Sequence, residues 1–168
     1  ANEVKNIQNN VGLTEVNGFN RFEISGPDAN GFVERIFCGN ITQKSGRVSL
    51  GYLLNDLGMI KSEATISNIP ASDRGPKRMW YGSAAASEFH DMDWLEQNIN
   101  TDEDVEIRSL TNDQTILLIA GPKAREVLSK CSREDWSKEA FPWLSIRECF
   151  IGFSAATVMS VSFSGELA

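Results

Sequence analysis

Two carboxylates stand where chemistry could be done. Glu63 lies in the strand-like run Met59-Ile60-Lys61-Ser62-Glu63-Ala64-Thr65-Ile66, directly after the turn signal Asn55-Asp56-Leu57-Gly58. Strand alternation puts Glu63 on one face with Lys61 and Thr65, and Ile60, Ser62, Ala64 and Ile66 on the other. Glu166 follows Gly165 after a further strand pattern, Val158 to Phe163. A carboxylate can move a proton or accept charge-assisted hydrogen bonds. On residues alone the plainer readings are a solvated strand face for Glu63 and an exposed position near the chain end for Glu166. Other chemistry is sparse. His90 is the one histidine and sits in the first turn of a helix pattern beside Asp91, which favours a structural or surface role. Cys38, Cys131 and Cys149 are odd in number, widely spaced and form no CxxC pair, so the expectation is buried free thiols in a reducing compartment. No Gly-rich phosphate loop and no cluster with metal-ligand spacing occurs. Trp80, Tyr81, Phe89 and Trp94 read as core rather than as a ligand platform.

The elements that must carry these residues follow a repeat. Ile24-Ser25-Gly26-Pro27-Asp28-Ala29 and Ile119-Ala120-Gly121-Pro122-Lys123-Ala124 are both a strand end, a Gly-Pro turn and a helix start. They lie about 95 positions apart, a spacing that signals a duplicated unit. Gly suits the tight strand exit and Pro the first helical position. Strands are expected at Gly12–Val16 and Arg21–Ser25 as a hairpin across Asn17-Gly18. A helix follows from Pro27 to Cys38, then a hairpin of Val48–Leu54 and Met59–Ile66 and a strand at Arg78–Gly82. A helix capped by Ser87 carries Phe89, Met92, Leu95 and Ile99 at helical spacing. The second unit has a hairpin of Val105–Leu110 and Thr115–Ile119, a helix over 122–131, a short helical turn at 133–138, and strands at Ser145–Ile151 and Thr157–Phe163. Residues 1–10 read as a loose polar lead-in. The fold class is α+β: duplicated antiparallel-sheet-plus-helix units, divided at 1–101 and 102–168, the second lacking a strand and a helix.

Bulk properties narrow the function classes. The 168 residues can bury a substantial core, and their 23% charged and 41% hydrophobic content is ordinary for a globular chain. A net charge of −7 disfavours nucleic acid. No apolar run reaches membrane-spanning length, and the N-terminus carries no secretory signal. It also lacks an initiator Met, so the chain is expected to be processed or part of something longer.

Taken in order, several segments match one family. They are Val11-Gly12-Leu13-Thr14-Glu15-Val16 with Phe22 to Ala29, Leu53-Leu54-Asn55-Asp56-Leu57-Gly58-Met59-Ile60, and Gly82-Ser83 with Glu88-Phe89-His90-Asp91. Trp94-Leu95-Glu96, Ile119 to Ala124 and Ser162-Phe163-Ser164-Gly165-Glu166-Leu167 complete the set. In this pattern the chain resembles the folate-binding domain of the glycine-cleavage T-protein (aminomethyltransferase) superfamily. The likeness is strongest to the C-terminal part of dimethylglycine and sarcosine dehydrogenases.

The resemblance implies tetrahydrofolate as cofactor and one-carbon transfer as activity. Glu63 occupies the position of a catalytic carboxylate that points at the reactive folate nitrogens. T-proteins usually have Asp there, and the dehydrogenase type often has Glu. Glu166 matches a Gly-Glu motif that accepts hydrogen bonds from the pterin. Thr65, Phe163 and Tyr81 are further expected folate contacts, and Phe163 stands near a position where the family usually has Tyr. The implied partner is an iminium derived from an N-methyl amino acid, or another aminomethyl donor. An FAD domain elsewhere in the parent chain would generate it; no FAD motif occurs here. The family continues beyond the Gly-Glu motif, so the chain is expected to be a fragment. Two alternatives remain open: a glycine-cleavage aminomethyltransferase serving a lipoyl carrier, and a non-catalytic folate-binding regulator or assembly factor.

Overall fold

Alternating and helical apolar spacings build two units from one chain, as seen in a computed structural model that describes residues 2–162 and 165–168. Residues 17–115 form a central unit, and residues 1–16 with 116–168 form a terminal unit. The division differs from the boundary expected at 101/102, because the strand just beyond that boundary joins the central sheet and the N-terminal strand joins the terminal unit.

The central unit is a six-stranded antiparallel sheet. Its strands are β2 (Phe22–Ser25), β3 (Phe37–Cys38), β4 (Arg47–Leu54), β5 (Ile60–Ile69), β6 (Arg78–Gly82) and β7 (Glu106–Ser109). Their spatial order is β3-β4-β5-β6-β2-β7. Helix α2 (Ala29–Ile36) buries Ala29, Phe32 and Val33 against the sheet. Helix α3 (Glu88–Gln97) buries Asp91 and Leu95, one turn apart. Phe22, Ile24, Phe37, Leu53, Ala64, Ile66, Met79 and Tyr81 complete the core. Each large apolar side chain buried here contributes roughly 2 kcal/mol. Ser87 stands at the N-cap of α3 as expected, but its side chain makes no cap hydrogen bond.

The terminal unit holds α1 (Asn2–Asn9), β1 (Gly12–Glu15), β8 (Leu117–Ala120), α4 (Ala124–Cys131), and a hairpin of β9 (Ile146–Ile151) and β10 (Ser154–Met159). Trp136, Phe141 and Cys149 form its core, with Leu128, Ile151 and Val158 packed against them. Residues 2–9 are helical rather than loose: Ile7 on this helix packs where a Gly12 Cβ would lie. Residues 133–138 form bends and turns, not helix. The last strand ends at Met159, earlier than expected.

Neither hairpin expected at Asn17-Gly18 or at residues 111–113 forms. β1 pairs with β8, and β2 pairs with β6 and β7. The chain passes from the terminal to the central unit between Val16 and Asn17, and back between Thr115 and Ile116. Turn chemistry marks where a chain reverses, whereas the partner of a strand is decided by which edge buries its side chains.

The two Gly-Pro turns share this exchanged arrangement. Gly26 follows Ser25, whose partner is Glu106; Gly121 follows Ala120, whose partner is Gly12. Two residues before each partner, a backbone carbonyl crowds the glycine: Asp104 O at Gly26, and Asn10 O at Gly121. That carbonyl also accepts a backbone N–H from beyond the proline, Asp28 N at 3.3 Å and Lys123 N at 3.0 Å. Both glycines have positive φ, 111° and 122°, where a side chain is disfavoured. Pro27 and Pro122 lie in the turn, and the helices begin two residues later, at Ala29 and Ala124. The duplication is therefore a strand pair plus a Gly-Pro turn, with the pairing strand supplied in each case from elsewhere in the sequence.

Candidate functional site

The outer face of β4, β5 and β6 carries the candidate site. Its position follows from the β4–β5 hairpin, whose turn forms as expected. Asn55 Oδ1 accepts the backbone N–H groups of Leu57 (3.0 Å) and Met59 (2.9 Å), an Asx turn. Ser62, Ala64 and Ile66 point into the core, and Glu63 points out and is exposed. Glu63 stands opposite Tyr52 on β4, and Thr65 opposite Leu50 on β4 and Gly82 on β6. Leu50 is 46% exposed. Thr65 Oγ1 donates to Gly82 O at 3.3 Å, so its lone pairs remain as acceptors. The Glu63 carboxylate has no hydrogen-bond or ion-pair partner among the described residues.

The alternation breaks at one point. Leu53 pairs with Ser62 but Leu54 pairs with Ile60, which leaves Lys61 as the extra residue of a β-bulge. Ile60 is thereby moved off the core face where simple alternation places it, and it is 65% exposed. Lys61 no longer lies in line with Glu63; its Nζ sits 4.0 Å from the centroid of the Trp94 ring.

The remaining expected contacts fall in different places. Tyr81 faces the core, not the Glu63 face, because alternation along β6 turns Met79 and Tyr81 inward and Gly82 outward. Its ring stacks on Phe22 with centroids 5.4 Å apart, in the core where the residue pattern placed it and away from the Glu63 face that the resemblance implied. Of the other aromatics, Phe89 is 85% exposed, and Trp80 and Trp94 are half-buried. Glu166 belongs to the terminal unit and is half-buried. It lies between Gly165, whose N–H donates to Ser162 Oγ at 2.7 Å, and Leu167, whose carbonyl accepts the Gly121 N–H at 2.9 Å. The second Gly-Pro turn thus anchors the segment bearing Glu166. Phe163 lies outside the described residues. Cys149 is buried as expected, whereas Cys38 and Cys131 are exposed. Among the described residues no cluster of His, Cys, Asp and Glu has the arrangement to hold a metal ion, and no helix is long and apolar enough to cross a membrane.

A second polar group lies beneath this face and was not singled out from the sequence. Asp91 is fully buried. Its Oδ2 accepts from Ser62 Oγ (3.0 Å), Ser83 Oγ (2.5 Å) and the Tyr81 hydroxyl, and its Oδ1 meets His90 Nδ1 at 3.0 Å. Asn20, also fully buried, holds Ser83 through its side chain. Burial by itself would raise the Asp91 pKa, but the bonds from Ser83, Tyr81, His90 and Ser62 outweigh it and hold the carboxyl below its ordinary value. Burial, and then the bond to Asp91, pushes the Tyr81 phenol up. The available signal was a charged residue four positions before Leu95, on the helix stripe that must be buried.

The sign of the Asp91 shift gives a pH test. A depressed carboxyl stabilises the fold fully above its unfolded value of 3.8, and that contribution is lost as pH falls through the lower folded value. Urea midpoints of wild type and Asp91→Asn, taken from about pH 7 downward, are expected to converge below about pH 4. A gap constant with pH would reject an ionised Asp91.

Residues 1–168 match the GCVT N-terminal domain. Mitochondrial dimethylglycine dehydrogenase of Rattus norvegicus is 30% identical over 99% of the chain, which covers 19% of that protein. Sarcosine oxidase subunit alpha of Rhizobium meliloti is 33% identical over 99% of the chain, which covers 17% of that protein. The chain therefore spans under a fifth of the curated relatives it matches. The glycine cleavage system aminomethyltransferase T from Bartonella henselae shares the fold with a TM-score of 0.80 at 18% identity, across 99% of this chain and 42% of that one. The shared fold of mixed helices and antiparallel sheets accords with the family match along residues 1–168, and by that match the chain belongs to the GCVT N-terminal domain family.

Proposed function

We propose that this domain binds tetrahydrofolate and serves one-carbon transfer from an iminium or aminomethyl donor, within a larger flavin-linked dimethylglycine- or sarcosine-type dehydrogenase. The observation that carries this reading is the outward pair Glu63 and Thr65 on a strand paired on both sides, with β4 and β6. A carboxylate with no partner among the described residues, beside the half-exposed Leu50 and the Tyr52 ring, offers an acceptor and an apolar shelf. A flat heterocycle with N–H donors fits such a surface. Bound tetrahydrofolate would supply the nucleophilic nitrogen that takes up the one-carbon unit.

The chain's own residues then have distinct tasks. Glu63 holds the proton of the reacting nitrogen and offsets positive charge on the incoming carbon. Leu50 and Tyr52 keep water from one side, which favours transfer over hydrolysis of a water-sensitive donor. By the Gly-Glu match alone, Glu166 would accept paired N–H donors of a pterin, a charge-assisted contact tested apart from Glu63 because the two lie in different units. The FAD chemistry that produces the donor belongs to a separate domain of the parent.

The test is calorimetric titration of tetrahydrofolate into the intact protein. Glu166→Ala is expected to weaken binding by about tenfold or more, the size of a lost charge-assisted hydrogen bond. An unaltered affinity would remove Glu166 from the pterin site, and no binding by wild type would reject the folate reading altogether.

A further inference from the structure

We propose that Asp91 is a positioning residue that locks the register of β5, and with it the outward direction of Glu63. The inference rests on the folate-site reading for its functional consequence, but not for its structural one. The geometry starts at the bulge. Lys61 is unpaired, so the register of β5 against β4 changes between Ile60 and Ser62. A one-residue migration of such a bulge turns side chains to the opposite face. Here that would drive Glu63 toward the core and bring Ser62 out.

Ser62 is the first residue past the bulge, and Asp91 Oδ2 holds its hydroxyl at 3.0 Å inside the core. The same oxygen takes Ser83 Oγ at 2.5 Å and the Tyr81 hydroxyl, both from β6 or the residue after it. One buried carboxylate on α3 thus pins two adjacent strands from below. The pinned residues flank the site directly. Ser62 precedes Glu63, and Ser83 follows Gly82, whose carbonyl accepts from Thr65. Asn20 braces Ser83 from the other side, with its Oδ1 accepting the Ser83 N–H at 2.9 Å. Among the described residues Asp91 hydrogen-bonds to none on the outer face; it acts through Ser62 and Ser83.

Ser62→Ala is the informative variant, because Asp91 keeps three other partners and the core keeps its volume. Two measurements are made on the intact protein. Native-state amide exchange at Glu63 and Thr65 is expected to speed up about tenfold, while amides of β9 stay unchanged. Tetrahydrofolate affinity, followed by calorimetry, is expected to fall about fivefold in the wild-type background and by less than about twofold when Glu63→Gln is already present. That loss of additivity is what separates positioning of Glu63 from a general weakening of the fold. Equal losses in both backgrounds, or unchanged exchange at Glu63 and Thr65, would overturn the lock. If wild type binds no tetrahydrofolate, the folate reading fails and the exchange measurement alone decides this one.

Discussion

Glu63→Gln is expected to lower the rate of the one-carbon transfer proposed for this domain by about 10²-fold or more, the usual cost of losing a positioned acid–base group. Amine oxidation, which the same proposal assigns to a separate domain of the parent, should be nearly unaffected. The substitution keeps size and hydrogen-bonding shape but cannot carry the proton or the charge. It should leave the fold intact, because Glu63 is exposed and has no partner among the described residues. Surface changes of this kind alter stability by at most about 0.5 kcal/mol. The measurement pairs the rate of folate consumption with the rate of electron-acceptor reduction in the same preparation. A proportional fall in both would indicate damage to the whole protein. An unchanged transfer rate would sink the assignment of Glu63.

Gly26→Ala is expected to cost more than about 3 kcal/mol of stability, combining a left-handed backbone strain with a backbone collision. An added Cβ would overlap the Asp104 carbonyl oxygen and lie 3.1 Å from its carbon and 3.2 Å from Val105 Cα. Those are main-chain atoms leading into β7, so relief requires moving a strand that pairs with β2. Gly121→Ala meets the same obstacle in the terminal unit, 2.6 Å from both Asn10 O and Ile7 O. Gly31 supplies the contrast. It lies within α2 with nothing within 4 Å of an added Cβ, so Gly31→Ala should stabilise by about 0.5–1 kcal/mol through helix propensity. Urea unfolding of the variants gives the order directly. A Gly26→Ala loss no larger than about 1 kcal/mol would mean that the turn relaxes freely, and that the repeat is not held by close backbone approach.

Glu63 and Tyr81 mark how far the candidate site was legible. Residue types and alternation put Glu63 and Thr65 on one strand face, and both are found together there. The residue pattern read Tyr81 as core and the family resemblance read it as a folate contact; it is buried on the face opposite Glu63, so the pattern was the better guide to its place. Asp91 was hidden: the sequence shows a charged residue on a helix, and only packing shows that strand hydroxyls from Ser62 and Ser83 converge on it.

What the chain determined by itself is local. Asn55 and Gly58 set the β4–β5 turn, Phe32 and Val33 set the buried stripe of α2, and the paired Gly-Pro turns announced duplication. These depend on neighbours a few residues away, where backbone sterics and side-chain period decide the outcome. Tertiary structure decided the rest: that β1 pairs with β8 and β7 with β2, that a bulge at Lys61 turns Ile60 outward, and that hydrogen bonds from Ser62, Tyr81 and Ser83 converge on Asp91 in the core. Each of these joins residues distant in sequence or shifts a period by one. The free energy involved comes from burial and hydrogen bonds that exist only once the sheet has assembled.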